Sequence, residues 1–307
     1  MEFLYFLEDL RIPGLNEFML GITYFGDELV FLVIAMILFW CVDKRQGYYM
    51  MAVGFFGTLA SQFLKITCRV PRPWVLDENF TILEQARETA GGYSFPSGHT
   101  QSSVGTFGAL AMTTKNKWIR GVCVALMVLV PFSRVYIGVH TPADVLVAAG
   151  MALALIVFVK PLVYGKDGKF IPVMLWAGLG LIAAYLAYVE LFPFPADVDV
   201  KNLASAVKNA YTLIGALGGM LVVYYVDGKW LHFKTEAIWW AQLLKLFGGL
   251  ALVLAVKEGL KVPIELIFGG HVIARGVRYF FVVVVAGVVW PLTFPWFSKL
   301  GRKEETR

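Results

Sequence analysis

The sequence predicts an all-α fold, a polytopic membrane bundle of about nine transmembrane helices. Three observations predict it. Hydrophobic residues make up 58% of the 307-residue chain and charged residues only 16%, where a soluble domain carries about a quarter charged residues. The mean hydropathy is +0.68. The apolar residues gather into stretches of roughly 17–25 residues, the length at which a helix crosses the hydrocarbon core of a bilayer. So much apolar surface has to face a solvent other than water, and that solvent is lipid.

The chain begins with Phe3, Leu4, Phe6, Leu7 and Leu10 at helical spacing beside Glu8, Asp9 and Arg11. Residues 1–23 are expected to form an interfacial helix lying on the membrane, or an ordinary amphipathic packing helix. Acidic residues stand where a signal peptide needs positive ones. Spans are expected at 24–42, 47–66, 98–114, 118–138, 142–162, 171–192, 206–226, 237–256 and 277–297. The third is weakened by Gln101, Ser102, Ser103 and Thr106, and the eighth by Lys245. A lysine at that depth is expected to reach for the membrane surface or to pair with an acid such as Glu190 or Glu258. Gly215 and Gly219 form a GxxxG pattern, expected to bring two helices close inside the bundle. Organisation follows as an N-terminal helix (1–23), a core (24–165) and a C-terminal transmembrane extension (166–307).

Short loops set orientation. On one side lie Lys44 and Arg45, then Lys115, Lys117 and Arg120, then Lys160, Lys166 and Lys169, then Lys229 and Lys234, and finally Lys299, Arg302, Lys303 and Arg307. That side is expected to be cytoplasmic. The N-terminus, the long 67–97 connection and the loops near 139–141, 193–205 and 257–276 then face outward. His271, Arg275 and Arg278 form a basic group on the outer side, expected to mark an interface or to line a substrate route. Asn79-Phe80-Thr81 is a glycosylation sequon there.

The net charge of +5 comes from 27 basic and 22 acidic residues, without a dense basic run interleaved with aromatics, so no nucleic-acid partner is expected. Cys41, Cys68 and Cys123 fall at different membrane depths, and neither a disulfide nor a zinc site is expected from them.

Three segments carry unusual residues to the outer side. Lys65 through Arg72-Pro73 closes the second span. Tyr93-Ser-Phe-Pro96-Ser97-Gly98-His99 opens the third. Ser133-Arg134 through His140-Thr-Pro-Ala-Asp144 joins the fourth and fifth. Ionisable residues at a membrane surface are costly and usually functional. Lys65, Arg72 and Arg134 together suit a dianionic phosphate group, whose oxygens match guanidinium forks. Ser97 and Gly98 add the free N–H groups of a helix start. His140 has Asp144 one helical turn later, where a carboxylate can fix the ring tautomer and free the other nitrogen for attack. His99 can protonate a leaving oxygen. Each residue also has a plain structural role open to it: Asp144 and Ser97 as helix caps, Lys65 and Arg72 snorkelling, Arg69 as a surface cation or headgroup contact. No cluster of carboxylates suits magnesium, so no metal or cofactor is expected.

These residues carry a family resemblance. KX6RP, PSGH and SRX5HX3D are matched in full and in order, and the chain resembles the type-2 phosphatidic-acid phosphatase superfamily, which shares its site with vanadium haloperoxidases. The resemblance spans roughly residues 20–165 and implies a phosphatase core in the first five helices. It implies His140 as nucleophile, Asp144 as its orienting partner, His99 as general acid, and Lys65, Arg72, Ser97, Gly98 and Arg134 as phosphate ligands. It further implies hydrolysis of a phosphomonoester through a phosphohistidine. Nine spans, the Arg72-Pro-Trp-Val-Leu-Asp77 tract and the segment Lys208–Gly215 also look similar to the glucose-6-phosphatase branch.

Two substrates remain open. A lipid phosphate of phosphatidate, phosphatidylglycerophosphate, sphingoid or polyprenyl type is the first reading, and a sugar phosphate is the second. A non-catalytic lipid-phosphate binding or transport protein is the reading from another class. The span count and the loop charges place the active site on the extracytoplasmic face, expected to be that of a bacterial plasma membrane, or the luminal face of the endoplasmic reticulum in a eukaryote.

Overall fold

The computed structural model describes residues 1–88 and 90–300, without the side chains of Lys166 and Asp167. Of the cations used above for orientation, the Lys166 side chain, Arg302, Lys303 and Arg307 lie outside the described residues. Every regular element among the described residues is a helix.

The N-terminal segment is two helices rather than one, α1 (Glu2–Asp9) and α2 (Pro13–Thr23). Pro13 in the first turn of α2 accounts for the restart, since proline is tolerated only where its missing N–H is not needed. Leu4 and Leu7 of α1 are buried, packed with Phe80, Tyr136, Ile137 and Val139, while Phe3 and Phe6 are exposed. The buried face is that of a packing helix.

The expected span 24–42 is corrected. Residues 24–26 are a 3₁₀ turn, and the helix proper is α3 (Glu28–Ile37), continued as a π-turn to Val42. The pieces Pro13–Gly26 and Glu28–Val42 are together long and apolar enough to cross a membrane, and they are bent by 51° at the break around Asp27. Then come α4 (Lys44–Cys68) and the short α5 (Pro73–Leu76), followed by α6 (Gly98–Thr113) and α7 (Lys117–Tyr136). After these the chain forms α8 (Pro142–Tyr164), α9 (Ile171–Leu191), α10 (Val200–Val226), α11 (Trp239–Gly259), α12 (Lys261–Ile267), α13 (Ile273–Val284) and α14 (Phe294–Lys299).

Seven helical segments are long and apolar enough to cross a membrane, or eight with the bent pair, against the nine expected. The ninth, α6, is shorter than these. Its 16 residues rise only about 24 Å, and its polar residues Gln101, Ser103 and Thr106 are buried against protein, which explains its weak hydropathy. The longer helices turn apolar side chains outward. In α8, Ala148, Ala152, Ile156 and Val159 are buried, while Leu146, Val157 and Phe158 are 59–71% exposed. The protein is membrane-embedded.

The chain divides into two compact units. The first comprises Met1–Ile34, Tyr49–Pro161 and Pro193–Ala206, and the second Ala35–Tyr48, Leu162–Phe192 and Val207–Arg307. This departs from the expected sequential boundary near 165. In the second unit Gly215 and Gly219 pack as expected: a Cβ on Gly215 would lie 1.9 Å from the Gly276 carbonyl oxygen. Lys245 is fully buried and pairs with neither Glu190 nor Glu258. Its ammonium donates to the Thr235 carbonyl at 2.8 Å and sits 4.6 Å from the Phe294 ring centroid. The long stem lets it reach a carbonyl and an aromatic face without a buried carboxylate. Arg275 donates to Thr212 Oγ1 at 2.6 Å, Arg275 and Arg278 both lie against Tyr279, and His271 meets Tyr211. This basic group is an interface within the bundle.

Candidate functional site

All three motifs lie in the first unit and converge there. Helix α4 ends with Lys65, whose ammonium donates to the Tyr93 carbonyl at 2.8 Å. Arg69 follows in the left-handed conformation and pairs with the exposed Asp197 at 3.2 Å. That contact makes it a surface cation.

Arg72 is buried, and each of its three guanidinium nitrogens has a partner. Nε donates to the Gly92 carbonyl at 3.0 Å and Nη2 to the Gly91 carbonyl at 2.8 Å. Nη1 donates to the Val139 carbonyl at 2.8 Å and meets His140 Nε2 at 2.9 Å. A guanidinium can only donate, so His140 Nε2 is the acceptor and carries a lone pair rather than a proton. Gly92 adopts φ +71°, a conformation glycine permits without strain.

His140 sits in the turn between α7 and α8 and is 1% exposed. Burial, and then the positive charges of Arg72, Arg134, Lys65 and His99, hold its pKa well below the usual histidine range. A neutral ring with its lone pair on Nε2 has its proton on Nδ1. That nitrogen lies 3.4 Å from Asp144 Oδ2, longer than a good hydrogen bond. The Ser94 hydroxyl stands between them, 3.3 Å from Nδ1 and donating to Asp144 Oδ2 at 2.6 Å. The expected His140–Asp144 pair is thus present, and it is joined by Ser94, a residue of the second motif to which the sequence assigned no role.

Asp144 keeps its capping role as well. Its Oδ2 accepts from the Thr141 N–H at 2.8 Å, and its own N–H donates to Thr141 Oγ1 at 3.3 Å, a reciprocal cap at the start of α8. Its carbonyl accepts from the Ser97 N–H at 3.1 Å, tying α8 to the second motif.

Ser97 is buried and caps α6, its hydroxyl accepting from the Thr100 N–H at 3.4 Å. A Cβ placed on Gly98 would meet nothing within 4 Å, so the helix start is open at that point. Arg134 is fully buried near the end of α7 and donates through Nη1 to Thr23 Oγ1 at 2.7 Å. Its Nε and Nη2 are buried without a hydrogen-bond partner. Two unsatisfied donors of a buried cation are costly unless an anion takes them. His99 Nε2 lies 2.9 Å from Asp27 Oδ1, at the break of the bent helix pair.

The structure therefore brings Lys65, Arg72, Ser97, Gly98, His99, Arg134, His140 and Asp144 to one region, and adds Ser94 and Asp27. Ser94 lay inside a quoted motif. Asp27 had a signal too, as a charge within an expected apolar span. Among the described residues no three of His, Cys, Asp and Glu form a metal-ligating group.

Comparison with known proteins followed the same residues. A family model described as PAP2 superfamily matches residues 45–167, and one described as PAP2 superfamily phosphatase, transmembrane extension, matches residues 211–303. The chain is 30% identical over 173 residues to phosphatidylglycerophosphatase B of Bacillus subtilis (strain 168), covering 52% of this chain and 79% of that protein. It is 33% identical over 138 residues to an undecaprenyl-diphosphatase of Sulfolobus acidocaldarius, covering 44% of this chain and 65% of the relative. It is also 28% identical over 137 residues to the undecaprenyl-diphosphatase BcrC of Bacillus subtilis, covering 43% and 68%. No solved structure matches.

Proposed function

The chain belongs to the PAP2 superfamily of membrane phosphatases, and from that premise we propose that it hydrolyses a lipid phosphate through a phosphohistidine formed on His140. The observation that carries the reading is the buried His140 ring, which presents an Nε2 lone pair beside the Arg72 guanidinium.

In the first step Nε2 attacks phosphorus, the N–P bond forms and the ester P–O bond breaks. His99 gives a proton to the leaving oxygen. In the second step a water oxygen attacks phosphorus, His99 takes a proton from that water, and the N–P bond breaks to release inorganic phosphate. Arg72 shifts a donor from Nε2 to the phosphoryl oxygens as phosphate arrives. Arg134 offers Nε and Nη2, Lys65 its ammonium, and the Ser97–Gly98 helix start its N–H groups. Ser94 and Asp144 stabilise the Nδ1–H that must stay in place while Nε2 is bonded to phosphorus. The charge that develops on the transferring group is met by fixed cations, so the chemistry needs no metal.

The names of the relatives support a lipid substrate of phosphatidylglycerophosphate or polyprenyl type. The transmembrane-extension match gives the last spans a place among PAP2 phosphatases generally, so span number alone does not argue for a sugar phosphate. The loop cations support an extracytoplasmic site with a cytoplasmic C-terminus.

One experiment tests the reading. Purified protein in EDTA is given phosphatidate, phosphatidylglycerophosphate, a polyprenyl phosphate and glucose 6-phosphate in parallel. Lipid phosphates are expected to release phosphate, vanadate to inhibit, and His140→Ala to lose turnover. Retained turnover in that variant removes the mechanism, and a preference for glucose 6-phosphate removes the lipid assignment.

A further inference from the structure

We propose that Asp27, at the break of the bent N-terminal helix pair, is the positioning residue of His99, fixing its ring and favouring the protonated form that assists the leaving group. The proposal rests on the phosphatase reading above and deepens it. The residues matched by the family model begin at 45, so Asp27 lies outside that match.

The contact is built in by the backbone. A Cβ on Gly26 would lie 2.9 Å from both His99 Cβ and the His99 carbonyl oxygen. Only a glycine lets the break rest directly on the start of α6. The next residue then places its carboxylate 2.9 Å from His99 Nε2. The Asp27 carbonyl accepts from the Val30 and Phe31 N–H groups, so its backbone starts α3 while its side chain goes to His99. The same segment is anchored nearby by Thr23, which accepts from Arg134. Tyr136 of α7 further donates to Asn16 Oδ1 at 2.8 Å.

The charge arrangement gives the carboxylate a task. Burial first, and then the positive charges of Arg134 of α7, Arg72 before α5 and Lys65 of α4, disfavour a positive charge on the His99 ring. Asp27 meets the ring from the N-terminal side, and itself faces Arg134. A carboxylate on Nε2 stabilises the imidazolium and leaves Nδ1–H as the proton to deliver. The pair is partly accessible, with 17% exposure for His99 and 34% for Asp27. A proton can therefore be exchanged with water between turnovers.

The test separates proton donation from folding by varying the leaving group. Full-length protein is assayed with dodecyl phosphate, whose alkoxide needs a proton, and with para-nitrophenyl phosphate, whose phenolate leaves without one. Asp27→Asn is expected to slow dodecyl phosphate on the order of 100-fold, within the range a general acid contributes. It should change para-nitrophenyl phosphate by less than about 3-fold. The alkaline limb of the dodecyl phosphate rate profile should move to lower pH, because the imidazolium loses its proton sooner without the carboxylate. Asp27→Glu, which keeps the charge, should restore most of the rate and the limb. In a His99→Asn background, Asp27→Asn should add no more than about 2-fold. Equal slowing of both substrates, an unmoved limb, a Glu variant as slow as Asn, or additive losses in the double variant would each overturn the role. Wild-type protein that releases phosphate from neither ester would instead sink the phosphatase reading itself.

Discussion

Ser94→Ala is the sharpest test of how His140 is held. The Ser94 hydroxyl lies 3.3 Å from His140 Nδ1 and donates at 2.6 Å to Asp144 Oδ2. Without it, Asp144 Oδ2 at 3.4 Å from Nδ1 is the partner left, at the long end of hydrogen-bond geometry. The buried Nδ1–H would lose one of its two acceptors just when attack at Nε2 makes the ring cationic. A hydrogen bond to a charged group is worth about 1.5–3 kcal/mol, which converts to roughly 10- to 150-fold in rate. Pre-steady-state formation of phosphoenzyme should slow by that factor. KM should hardly change, because Ser94 holds the nucleophile and not the phosphate ligands. Asp144→Asn serves as the contrast, since it disturbs Ser94 and also the cap on Thr141 N–H. It should slow the reaction and lower Tm, a lost cap costing about 0.5–2 kcal/mol. Ser94→Ala should lower Tm little. A rate loss below about 3-fold in Ser94→Ala would refute the bridge and leave Asp144 as the partner that holds the ring.

Three further outcomes follow from the same geometry. His140 is held neutral by the fold, so the unfolded chain takes up a proton at this site first, near pH ~6.5. The native state should therefore lose stability as pH falls below that value, and Tm of His140→Gln, measured from pH 8 to 5 in detergent, should decline less steeply than wild type. Arg134→Lys leaves one ammonium where Nη1 holds Thr23 and Nε and Nη2 are open, so kcat/KM should fall about 10- to 100-fold through loss of a charge-assisted bond; an unchanged kcat/KM would remove Arg134 from the phosphate ligands. Gly215→Ala puts a methyl 1.9 Å from the Gly276 carbonyl oxygen, and the required backbone shift should cost about 1–3 kcal/mol, read as a lower Tm.

The sequence carried the site further than it carried the fold. Three separated motifs predicted Lys65, Arg72, Ser97, His99, Arg134, His140 and Asp144, and these residues do converge, because each motif sits at a helix end on the same side of the alternating spans. Hydropathy was less faithful at both ends of the polarity scale. Averaged over 24–42, it hid the break at Asp27, since two adjacent charges, Asp27 and Glu28, among many apolar residues barely lower a mean. In α6 it was lowered by Gln101, Ser103 and Thr106, which are buried and face protein rather than lipid. Ser94 was unreadable for a different reason. A serine bridge depends on two helix starts meeting in space, and the 50 residues between Ser94 and Asp144 carry no local signal of that meeting. Lys245 followed the same logic: a carbonyl and an aromatic ring satisfied it, and neither leaves a charge pattern to search for.

The geometry also resolves a conflict that the motifs alone leave standing. Phosphate binding requires Lys65, Arg72 and Arg134 close together, and these cations act on both histidines. The chemistry needs the two rings in opposite states at the start of a turnover, His140 neutral to attack and His99 charged to donate. A uniform field of cations cannot supply both. The arrangement of carboxylates can. Ser94 and Asp144 both face Nδ1 of His140 and hold its proton there, while Arg72 donates to Nε2 and keeps a second proton off it. Asp27 touches His99 directly at 2.9 Å and, in the role proposed above, opposes the same cations there. Environments that drive two titratable groups apart are the usual way one site holds an acid and a nucleophile together. Here the separation depends on one serine and on the break in the N-terminal span. Removing either should blur the division of labour: Ser94→Ala by weakening the nucleophile with either ester, and Asp27→Asn by weakening the acid only where the leaving oxygen needs its proton.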